Sequence, residues 1–76
     1  MFKYSFSDYE EAYFKEDVVQ CRIIGLYLLQ KIAGDKSKEL YHKLFNLQYE
    51  WDMPQDKLQK VYQLLAEVRH WLRANL

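Results

Sequence analysis

Polar and hydrophobic residues alternate over the first positions of the chain, with Phe2, Tyr4 and Phe6 on one side and Lys3, Ser5 and Ser7 on the other. A period of two belongs to an extended segment, so this stretch predicts a short N-terminal arm. The period then lengthens. Phe14, Val18, Cys21, Gly25, Leu28 and Ile32 recur every three or four residues, and Val19, Ile23, Leu26 and Leu29 widen the stripe, as in an amphipathic helix. Ser7 followed by Glu10 fits a capping box, and Asp8, Glu10 and Glu11 put negative charge at the positive end of the helix dipole. Gly34 can end the helix in a left-handed conformation. These signals predict a first helix over about 8–33. Between Ile23 and Leu29 it is apolar almost all round, so the later helices or a second copy of the chain are expected to cover it.

A second helix, over about 37–51, is predicted from Leu40, Leu44, Leu47 and Trp51 on one face with Tyr41 and Phe45 beside them, capped by Asp35 or Ser37. Pro54 suits a first helical turn, and the third helix, about 54–74, carries Leu58, Val61, Leu65, Val68 and Leu72 as its core stripe. Short connections around Gly34 and around Glu50–Met53 favour antiparallel neighbours. The expected fold is therefore all-α: one domain over residues 1–76, a small three-helix bundle with a short extended arm.

Composition agrees with a folded domain. Half of the 76 residues are hydrophobic and 17% are aromatic, with two glycines and one proline, which excludes a disordered tail. Eleven basic residues balance eleven acidic ones, so the chain as a whole has no net attraction to nucleic acid or an anionic membrane. The lone Cys21 cannot make an internal disulfide, which points to a reducing, cytoplasmic setting. The most apolar stretch, Val18 to Ala33, is short for a bilayer span and contains Arg22 and Lys31.

Candidate chemistry is sparse. Cys21 falls on the core stripe, which suits a structural thiol better than a nucleophile. His42 and His70 fall on polar faces and are too few to form a metal site. Glu10, Glu11, Glu16 and Asp17 read as solvated charge at a helix start, and two glycines cannot build a phosphate loop. Neither an enzyme, a cofactor nor a metal is expected.

Two binding functions remain. Gln55, Gln59 and Gln63 share one side of the third helix and could read adenine edges in a helix-turn-helix arrangement. Its cations Lys57, Lys60, Arg69 and Arg73 are interrupted by Asp56 and Glu67, which makes a nucleic-acid regulator the alternative rather than the main reading. The denser signal is aromatic: Phe2, Tyr4, Phe6, Tyr9, Tyr13 and Phe14 crowd the first fourteen positions. Tyrosines with an apolar ring and a polar tip are enriched at protein interfaces. Phe2, Tyr4, Phe6, Tyr9 and Tyr13 are therefore the expected contacts with another protein, including a second copy in a homodimer, unless the arm folds back to cap its own bundle. Lys3 and Lys15 are outnumbered here by Asp8, Glu10, Glu11, Glu16 and Asp17, whereas the C-terminal segment is basic. Such compactness suits a regulator, inhibitor or accessory subunit of the kind that bacteria and their phages encode.

Overall fold

The computed structural model describes residues 3–76, and their regular secondary structure is all helix: α1 (Phe6–Phe14), α2 (Val18–Leu29), α3 (Asp35–Phe45) and α4 (Gln55–Asn75). The all-α expectation holds, with four helices among the described residues where three were expected.

The extra helix comes from a break in the first predicted one. Lys15 caps α1, and Glu16 turns left-handed at φ 58°. The Glu16 amide donates to Tyr13 O and the Asp17 amide to Ala12 O, the paired bonds of a Schellman ending. Asp17 then caps the next helix, its carboxylate accepting from the Gln20 amide at 3.2 Å. One corner thus serves two helix ends. At the front of α1 the cap is Ser5 with Asp8, displaced by two residues from the expected Ser7 and Glu10: the Ser5 amide donates to Asp8 Oδ2 at 2.8 Å and the Asp8 amide to Ser5 Oγ at 3.4 Å. Phe6 consequently belongs to a helix, and the described part of the arm shrinks to Lys3–Ser5.

The second predicted helix ends early, at Phe45 rather than Trp51. The final carbonyls of a helix lack donors from its own backbone turn and need partners from outside it. Arg22 of α2 supplies them, Nε donating to Leu44 O at 3.0 Å and Nη2 to Phe45 O at 2.7 Å. Gly34 has the expected positive φ, 123°, but with ψ 159° it lies in an extended region open to glycine alone and starts α3 instead of closing α2. Ser37 is not a cap either; it is buried, and its hydroxyl accepts from Trp71 Nε1 at 2.7 Å. The third predicted helix is close to α4, with Pro54 as its N-cap.

The core gathers Tyr9 and Ala12 of α1, Val18, Cys21, Ile24, Leu28 and Leu29 of α2, Leu40 and Leu44 of α3, and Val61, Leu65, Val68 and Leu72 of α4. Gly25 lies at its centre. A Cβ there would come within 2.8 Å of Leu44 Cδ2, 3.0 Å of Tyr9 Cε2 and 3.6 Å of Val68 Cγ1, so the absence of a side chain lets three helices approach α2 together. Several residues expected in the core lie outside it: Phe14, Val19, Ile23, Phe45 and Trp51 are exposed, and Leu58 is half-buried.

Three substitutions test these local arguments. Gly25→Ala should destabilise the fold by about 1–3 kcal/mol through overpacking, although alanine is the better helix former by about 1 kcal/mol; a urea titration with an unchanged midpoint would refute the close approach. At the corner, Asp17→Ala should cost about 0.5–2 kcal/mol through loss of the cap. Glu16→Gly should raise stability by about 0.5–1 kcal/mol by relieving the left-handed strain, and a lower melting temperature for Glu16→Gly would contradict the corner geometry.

Candidate functional site

The aromatic N-terminal segment packs against its own bundle. Tyr9 is fully buried, and its hydroxyl donates to Leu65 O of α4 at 2.6 Å. Phe6 stacks beside it at 6.4 Å between ring centroids, and Tyr4 meets Tyr27 edge-on at 5.5 Å. Tyr13 lies edge-on to Phe14 at 5.3 Å, and the Arg69 guanidinium covers both rings while hydrogen bonding Glu10 at 2.9 Å. Of the five expected contact residues, Tyr9 is closed to any partner, while Tyr4, Phe6 and Tyr13 are half-buried against the core. Phe2 lies outside the described residues. The signal for this outcome was in the spacing: Phe6, Tyr9 and Tyr13 sit three and four apart, a helical interval that the period-two reading of the arm passed over.

Burial governs the ionisable groups of this region. It pushes the Tyr9 phenol well above its ordinary range, with the neighbouring Cys21 adding to the shift, and it pushes the Cys21 thiol up to about 11. Cys21 is fully buried and stays protonated at neutral pH, so it is a poor nucleophile. His42 and His70 are both exposed and lie on different helices. Among the described residues no three histidine, cysteine or carboxylate side chains gather to hold a metal ion, and no helix is long and apolar enough to cross a membrane.

The helix-turn-helix elements are also dispersed. Gln55, Gln59 and Gln63 are exposed on α4, but α3 and α4 are joined by the stretch Asn46–Pro54, longer than the three- or four-residue turn of that motif. Arg69 is committed to Glu10.

A different surface is open. Along α2, Val19, Ile23 and the half-buried Leu26 share one side, continued by Gln30 just past the helix end, with Val19 60% and Ile23 44% exposed. On α3, Tyr41 and Phe45 stack one turn apart at 6.2 Å, with Phe45 55% exposed. Gln30 donates to the Tyr41 hydroxyl at 3.2 Å, and Arg22 reaches Phe45 O, so the two stripes form one face. Arg22 is the one charged residue of α2, and its Nε and Nη2 bond the end of α3. At the far end the face runs into a groove of about 350 Å³ floored by Leu29, Ile32 and Ala33. Its basic lining consists of Lys38 and His42, with no carboxylate.

No protein-family profile, curated protein or solved structure matches the chain. Function must therefore be argued from this surface.

The buried phenol and thiol make stability depend on alkaline pH. Both groups hold their protons more tightly in the folded state than in the unfolded chain. Their contribution is fully present below the unfolded values and is lost as pH rises through the folded ones. Unfolding free energy should thus be steady to about pH 8.5 and then fall from there past about pH 11 as the unfolded thiol and phenol ionise first. Tyr9→Phe and Cys21→Ala should each flatten that decline, which urea titrations at pH 8 and pH 10.5 would measure; equal slopes in parent and variants would refute the assignment.

Proposed function

We propose that the protein is a cytoplasmic protein-binding module, acting as a regulator, inhibitor or accessory subunit rather than as a catalyst. The observation that supports this reading is the open α2–α3 face. A helix that is apolar on every side is normally surrounded by protein, yet α2 has α1, α3 and α4 on its buried side and solvent over Val19 and Ile23. Contiguous apolar surface of this kind on a small domain marks a contact site.

The partner that fits is an amphipathic helix of another protein. Val19, Ile23 and Leu26 form a helical stripe beside the Tyr41 and Phe45 rings, which suits insertion of anchors spaced three and four apart. Lys38 and His42 at the groove, with no carboxylate between them, favour acidic side chains next to those anchors. In this reading the half-buried aromatics of α1 support the bundle, and the buried neutral thiol fits a reducing compartment.

The test is paired affinity capture from the native cell, with the parent chain and with an Ile23→Asp/Phe45→Asp variant whose circular dichroism matches the parent. A protein retained by the parent should be retained at least about 30-fold more weakly by the variant, as expected for hot-spot anchors. Lys38→Glu should mainly slow its association, because charges at an interface rim govern the on-rate. Equal retention by parent and double variant would exclude the α2–α3 face as the docking surface.

A further inference from the structure

Outside that face, the most exposed large hydrophobic side chain among the described residues is Trp51, 93% accessible in the connection between α3 and α4. The Met53 amide donates to Glu50 O at 3.4 Å, which closes a turn with Trp51 and Asp52 at its tip. Beside the turn lies a groove of about 340 Å³, lined by apolar Leu47, Met53 and Val61 and by Lys57, Lys60 and Glu50. That volume is at the lower end of the range for small-ligand pockets, roughly 300–1,000 Å³, and suits one aromatic ring system. The indole does not occupy the groove of its own chain, because the turn carries it outward into solvent.

From this juxtaposition we infer that the protein pairs with a second copy of itself, each Trp51 seated in the groove of the other chain. The charges match that occupant. Glu50 and Asp52 flank the indole; Glu50 also reaches the groove rim, where Lys57 and Lys60 outnumber it, and none of the four makes an ion pair among the described residues. In a two-fold pair the carboxylates beside each indole approach the lysines of the opposing groove. Projection and recess lie side by side on one face, so two equal insertions satisfy both chains and the assembly closes as a dimer. Tryptophan is the residue most often found as the anchor of such contacts. This surface is separate from the α2–α3 face, so the two readings stand or fall independently.

Sedimentation equilibrium of the full chain, with tryptophan emission recorded across the same concentrations, tests the pairing. The expected result is a dimer whose formation shifts emission to the blue. Trp51→Ser should weaken it by at least about 30-fold with unchanged circular dichroism. Two charge variants keep the test falsifiable. Lys57→Glu/Lys60→Glu makes indole flank and groove both acidic, and Glu50→Lys/Asp52→Lys makes both basic; each should be monomeric alone, and mixing the two should restore a one-to-one dimer. That recovery also shows that both variants fold. A parent that stays monomeric to millimolar concentration would overturn the inference and leave Trp51 to a different protein. A dimer unaffected by Trp51→Ser and by both charge reversals would overturn it too, and its loss in Ile23→Asp/Phe45→Asp would place self-association on the α2–α3 face instead.

Discussion

Three helices converge on α2 at the one position in its middle where no side chain stands in the way. Leu44 from α3, Tyr9 from α1 and Val68 from α4 all close on Gly25, at distances where a single methyl group would collide with the first two. Glycine in a helix interior costs about 0.5–1 kcal/mol relative to alanine, and here it permits dense packing in a chain too short to build a second core. Tyr9 is drawn deep enough by that approach for its hydroxyl to reach Leu65 O on the opposite helix. The buried polar side-chain atoms among the described residues all have hydrogen-bond partners, so the core is closed chemically as well as sterically.

That closure divides the molecule by function. The titratable groups in the core are kept neutral and out of reach, while the surface retains apolar area on the α2–α3 face and at the Trp51 turn, besides Phe14 and Leu76. Arg22 links the two regimes. As the charged residue of α2 it could have made that helix's outer side polar, but its guanidinium is turned onto the last carbonyls of α3. Ending α3 at Phe45 in this way leaves Phe45 at the edge of the open face and frees the following residues to form the turn that displays Trp51.

Much of the fold was legible in the chain because core positions repeat at helical intervals. Leu40, Leu44, Val61, Leu65, Val68 and Leu72 are buried as their periodicity requires, and Pro54 marks the start of α4. The break at Glu16 was harder to see, since a left-handed glutamate has no sequence signature. A cue was nevertheless present: Asp17, followed three residues later by Gln20 and leading into an apolar run, is an N-terminal capping pattern. The premature end of α3 was not legible, because it depends on an arginine from another helix. The candidate surface was half legible. The all-round apolarity of α2 announced that something must cover it, but periodicity alone could not say that Val19, Ile23 and Phe45 would be left outside. At the N-terminus the number of rings was legible but not their placement: counting rings does not reveal which of them a tertiary contact will absorb, as it does Tyr9.

The corner at Glu16 also bears on how the molecule opens. A glutamate at φ 58° is strained, and the docking of α1 through Tyr9 compensates for that strain elsewhere. The paired bonds to Tyr13 O and Ala12 O hold this corner, and the Tyr9 hydroxyl fastens the helix before it to α4. Release of α1 would withdraw the Tyr9 ring from Gly25 and so uncover the centre of α2.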